Sequence, residues 1–119
     1  MNKVFEALAI LLPIKTEQVS WGGDTLMLSS KNWIFRTESV WRVSKNHRLQ
    51  FTCWDGDAST LVSNFLGVSV VEVNWLIGTQ PIDPAIRLSD GCVLEVFCSS
   101  SIDPWVMEFS GGVVYLGNS

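Results

Sequence analysis

Between Ala85 and Tyr115 the chain reads AIRLSDGCVLEVFCSSSIDPWVMEFSGGVVY. Three alternating or apolar runs are punctuated by Asp90-Gly91, by a short polar stretch and by Gly-Gly, and a last apolar run follows. Asp-Gly between two such runs is a hairpin signal. The segment therefore predicts a four-stranded antiparallel meander.

Earlier segments predict strands of the same kind. Ile14–Trp21 alternates as one half-buried strand, and Gly22-Gly23-Asp24 turns the chain. Thr25–Ser29, Trp33–Thr37, Val40–Val43 and Arg48–Trp54 follow, with polar turns at Ser30-Lys31-Asn32 and at residues 44–47. Val68–Ile77 reads as a central strand with Val71, Val73 and Trp75 on one face, and Gly78–Pro84 as an irregular loop with two prolines.

Two stretches have a helical period. Asp57–Leu66 places Leu61, Val62, Phe65 and Leu66 on one stripe, with Asp57 as N-cap and Gly67 as the stop. Asn2–Leu12 places Val4, Phe5, Leu8, Leu11 and Leu12 on one face and ends at Pro13. The fold class expected is α+β and mainly β: antiparallel meanders, a helix at 57–66 packed on the sheet, and a short N-terminal helix.

The halves echo each other. Val19-x-Trp21, Leu26-x-Leu28, Trp33-x-Phe35 and Trp41 match Val73-x-Trp75, Ile86-x-Leu88, Leu94-x-Val96 and Trp105 in layout. This suggests an internal repeat, 14–54 and 68–116, inside a single domain of 119 residues. Each unit alone would expose an apolar face, so the two must pack together or form one continuous sheet.

Charge bounds the partners. The net charge is −4 and the few basic residues are scattered, which argues against nucleic acid and permits a basic protein partner. Val4–Leu12 is too short to span a bilayer and lacks a cleavage pattern, so neither a membrane anchor nor a signal peptide is expected. Cys53, Cys92 and Cys98 are odd in number, and Cys92 and Cys98 would lie roughly 20 Å apart on an extended strand. They read as reduced, buried thiols of a cytoplasmic protein.

Reaction motifs are missing from the sequence. His47 is the one imidazole, and it lies in a turn. On a strand it stands well apart from Cys53. Asp55 and Asp57 in WDGD are too few oxygens for a cation loop. The expectation is a non-enzyme without cofactor or metal. Its candidate partner-binding residues are Glu38, Trp41, Arg42, Trp54, Asp55, Glu72 and Glu95. Six Trp make aromatic anchors plausible, and Trp41-Arg42 and Trp54-Asp55 at strand ends are expected to be partly exposed. Glu72 and Glu95 interrupt apolar strands, and on a solvent face they would form an acidic patch or merely keep that face soluble.

The run SDG, Leu94-Glu95-Val96-Phe97, a short loop, Trp105 and a closing strand resembles a family of small bacterial proteins without a settled function. Thr37-Glu38-Ser39-Val40-Trp41-Arg42 and the helix ending at Leu66-Gly67 extend the likeness, which covers about Leu12 to Leu116. Ile102-Asp103-Pro104 before Trp105 departs from it. By analogy, small acidic proteins of this kind resemble immunity proteins, which neutralise a toxin domain by binding it. The expected function is then an immunity-type inhibitor. A self-associating β module with a homodimer interface is the alternative, and a small ligand-binding or hydrolytic β domain the third.

Overall fold

The computed structural model describes residues 3–78, 80–99, 104–110 and 112–116. Among these the elements are α1 (Lys3–Leu11), β1 (Ile14–Lys15), β2 (Gln18–Trp21), β3 (Leu26–Ser30), β4 (Trp33–Thr37), β5 (Val40–Lys45) and β6 (Arg48–Thr52). Then come α2 (Ala58–Val62) with a 3-10 turn at Ser63–Phe65, β7 (Ser69–Ile77), β8 (Gln80–Leu88), β9 (Cys92–Phe97), β10 (Trp105–Phe109) and β11 (Val113–Leu116). The class is α+β, mainly β, with every strand pair antiparallel.

The meander expected at 85–115 is cut in two. One sheet has the order β1-β7-β8-β9-β5-β6 and the other β11-β10-β4-β3-β2. The β8–β9 and β10–β11 hairpins thus lie in different sheets, and β9 pairs with β5 while β10 pairs with β4. Hairpin signals specify local turns only; after Phe97 the chain crosses to the opposite sheet. The same crossing happens between Thr37 and Val40, and between Lys15 and Gln18.

That last crossing splits the single strand expected at Ile14–Trp21. Ile14 and Thr16 are buried in the first frame, while Val19 and Trp21 turn inward in the second. Both frames are present because the two ends belong to different sheets.

The connections follow a common plan. The meander β2-β3-β4 is extended by the hairpin β10-β11, and the meander β7-β8-β9 by the hairpin β5-β6. Each half of the chain leaves its last hairpin in the sheet of the other half. The helices are exchanged likewise: α1 lies against β7 and α2 against β2. Trp21 meets Trp41 at 5.1 Å and Trp75 meets Trp105 at 6.3 Å, pairs that hold matching places in the two halves.

One core joins both sheets. Leu26, Leu28, Trp33 and Phe35 from one sheet cluster with Val43, Ile86, Leu94 and Val96 from the other. α1 buries Val4 and Leu8 and sets Phe5 4.5 Å from Trp75. α2 and its 3-10 turn bury Ala58, Val62 and Phe65, whereas Leu66 at the end of the expected stripe is exposed. The expected Asp57 side-chain cap is not made; the Asp57 carbonyl instead accepts from Thr60 N and Leu61 N. Gly67 stops the segment at φ +84°, where its N–H donates to Thr16 O.

Two further expectations change. Residues 80–84 belong to β8 rather than to a loop. Pro81 and Pro84 lie outside the β8–β9 ladder, which covers Ala85–Arg87, so the missing N–H groups break no bond to β9. A bulge between Val70 and Glu72 turns Val70 inward with Val73, whereas simple alternation puts it on the face opposite Val71 and Val73.

The β5–β6 hairpin turns through Asn46 and His47, both at positive φ (53° and 63°). A two-residue loop with this geometry favours Gly at its second position. His47→Gly is expected to raise stability by about 0.5–1 kcal/mol in urea unfolding, relief of the left-handed strain exceeding the added chain entropy. A loss of stability would mean that the His47 side chain contributes something the turn geometry does not show.

Candidate functional site

The seven candidate binding residues fall into three places. Trp41 is fully buried, with its ring edge-on to Trp21 and to Phe51 at 5.1 and 5.9 Å. Its expected exposure is overturned, because the crossing after Thr37 turns Trp41 into the space between the sheets. Trp41 cannot touch a partner.

Arg42, Glu72 and Glu95 share the outer face of the β7-β8-β9-β5 region. The register sets Arg42 opposite Glu95, and Glu72 opposite Arg87. Arg42 Nε donates to Glu95 Oε1 at 2.8 Å, and its guanidinium lies 4.9 Å from the centre of the Phe97 ring. Arg87 Nε donates to Glu72 Oε1 at 3.0 Å. Each carboxylate thus has a cation from the neighbouring strand, and this face is not an acidic patch. The Arg87–Glu72 pair is exposed and contributes about 0–1 kcal/mol. On the other sheet Arg36 pairs with Glu108 at 2.9 Å.

Glu38 and Trp54 meet at an open groove of about 300 Å³ lined by Trp21, Gly23, Asp24, Glu38, Ser39, Val40, Cys53 and Trp54. Three separate pieces of chain build it: the β2–β3 turn, the crossing into β5, and the turn after β6. Cys53 N donates to Trp41 O and Trp54 N donates to Thr52 Oγ1, so the end of β6 is held beside the crossing. Asp55 Oδ2 accepts from Thr52 N at 2.7 Å and closes this turn. Asp55 is thereby a structural residue of the groove's rim, and it holds Trp54 out with 75% of its surface exposed.

Asp24 and Glu38 have no ion pair or hydrogen bond among the described residues, and the groove lining holds no Lys or Arg. Asp24, Trp21 and Arg87 were missed as site residues. Asp24 and Trp21 read as an ordinary turn and strand, and only the register reveals Arg87. The available signal was an aromatic beside a turn that carries an acid, as in Trp21-Gly22-Gly23-Asp24.

His47 and Cys53 lie at opposite ends of the β5–β6 hairpin, so they do not form a nucleophile–base pair. No three His, Cys, Asp or Glu side chains come together to hold a metal among the described residues.

All three cysteines are free and half-buried. Burial is the main cause that pushes the Cys98 thiol up to about 12, with the Asp83 carboxylate beside it adding to the rise. Cys98 Sγ donates to Ile82 O at 3.0 Å. Burial, and then Asp90, also raise Cys92. The folded chain holds the Cys98 proton more tightly than the unfolded chain, whose thiol titrates near 9. This contribution to stability is complete below pH about 9 and is lost as pH rises toward about 12. Urea unfolding from pH 8 to 11 is expected to show a decline that is shallower in Cys98→Ala; parallel declines would contradict the assignment.

Among the described residues no helix is long and apolar enough to cross a membrane. In comparisons with known proteins, no family model, curated protein or solved structure matches the chain.

Proposed function

We propose that this is a non-enzymatic protein-binding protein, acting in the cytoplasm on a basic partner. By analogy with small acidic immunity proteins, the partner is a toxin domain that this protein neutralises by direct binding. The observation that carries the reading is Trp54, an indole 75% exposed in a groove that holds two carboxylates and is lined by no Lys or Arg. Large exposed aromatics are anchors at interfaces, and unpaired acids steer and orient a basic surface. The net charge of −4 acts in the same direction at long range. Free thiols fit a reducing compartment.

Coexpression with the product of the neighbouring gene tests this. The pair is expected to copurify, with an association rate that falls as salt rises from about 0.05 to 0.5 M. A neighbour that remains separate at micromolar concentration, and keeps its activity in the presence of this protein, would overturn the reading.

A second reading rests on β11. This outer strand of its sheet carries Val113 and Val114, each about half exposed, and no charge or proline within Val113–Leu116. Unguarded edges of this kind pair with other strands. Self-association through β11 would appear as a concentration-dependent dimer in sedimentation equilibrium that Val114→Lys abolishes.

A further inference from the structure

We infer that the groove between Trp21 and Trp54 takes an arginine side chain of the partner protein. The inference rests on the binding-protein reading and adds the chemistry of the contact. Three observations converge on it.

Charge is the first. Glu72, Glu95 and Glu108 are each matched by an arginine of this chain. Asp24 and Glu38 line one groove without any cation in it. Arg36 lines the adjoining hollow on the far side of Glu38, but its guanidinium is engaged with Glu108. The groove's two carboxylates are therefore matched by no cation within the groove, and they suit a cationic ligand.

The second is the exposed indole. A guanidinium is planar and weakly hydrated, and it stacks on an aromatic face while its N–H groups reach carboxylates in the plane. An ammonium is a strongly hydrated point charge and gains less from the same surface. Arg42 already shows this arrangement within the fold, with its guanidinium over Phe97 and its Nε on Glu95.

Size and donor number are the third. About 300 Å³ admits one long side chain rather than a folded segment. Two carboxylates are too few oxygens for a calcium site, so a side-chain cation fits better than a metal ion.

The test uses the intact protein and the acetylated, amidated peptide Gly-Arg-Gly-Arg-Gly, with lysine and citrulline counterparts, in ¹⁵N NMR titrations. The arginine peptide is expected to shift the Trp54 indole N–H and the amides of Asp24, Glu38 and Cys53. The lysine peptide is expected to bind about threefold to tenfold more weakly, and the citrulline peptide not to saturate. Glu38→Gln and Asp24→Asn should each weaken the arginine peptide about tenfold, and Trp54→Ala by at least as much. All three positions are exposed, and unchanged spectra elsewhere will verify the fold of the variants.

Equal binding of arginine and citrulline peptides, or shifts outside the groove, would overturn the inference. So would a neighbouring gene product that binds Trp54→Ala and Glu38→Gln as tightly as the unaltered protein, although the binding-protein reading would survive that result. An arginine peptide that binds as expected while the neighbour does not bind sinks the immunity reading and leaves the groove.

Discussion

Replacing Trp41 with alanine is expected to cost about 3–5 kcal/mol of folding stability, and replacing Trp54 with alanine less than about 0.5 kcal/mol. The contrast follows from place alone, since Trp41 has no exposed surface and Trp54 keeps 75% of its own. Trp41 is the point where Trp21 of one sheet and Phe51 of the other meet edge-on, so its loss opens a cavity shared by both sheets. Trp41→Phe should be far milder, about 1–2 kcal/mol, because Trp41 Nε1 has no hydrogen-bond partner among the described residues and its removal leaves no group orphaned. Urea unfolding followed by far-UV circular dichroism gives all three values without relying on the indole signal. Similar costs at 41 and 54 would contradict the packing described for this end of the core.

The same contrast shows what was legible in the sequence. Periodicity and turn residues located the strands, because each depends on neighbours in the chain. Asp90-Gly91 turns β8 into β9, and the stripe Val62–Phe65 packs as a helical segment. Sheet membership was not legible. Phe97 and Trp105 read as consecutive strands of one meander, yet the eight-residue step between them changes sheets. That depends on long-range pairing with β4 and β5, which no local pattern encodes. The errors in the candidate site have this one origin. Trp41 looked like a strand end because the crossing before it was unseen. Glu72 and Glu95 looked unpaired because Arg87 and Arg42 become neighbours only through register. The groove draws on residues 21–24, 38–40 and 53–54, three turns whose meeting is a consequence of the crossing.

The crossings themselves hold the second large effect. Thr37 Oγ1 and Ser39 Oγ both donate to the carbonyl of Pro104, at 2.6 and 3.0 Å. Thr37 Oγ1 also accepts from Ser39 N, and Ser39 Oγ from Ser99 N, while Val40 N donates to Ser99 Oγ at 2.9 Å. Two sheet-changing segments, about 65 residues apart in sequence, are thus tied to each other in a buried place where water cannot substitute. Thr37→Val and Ser39→Ala are each expected to cost about 1–2 kcal/mol, since the Pro104 carbonyl keeps one donor in either variant. The double variant strips it of both and should cost about 3–5 kcal/mol, exceeding the sum of the singles by about 1 kcal/mol. Strict additivity would mean that the carbonyl finds another donor and that the tie is not shared. Because β10 enters its sheet at Trp105, directly after the tied carbonyl, amide exchange in the β4–β10 ladder should quicken more than in β7–β8. Uniform acceleration would instead point to a global loss of stability with no special hold at the crossings.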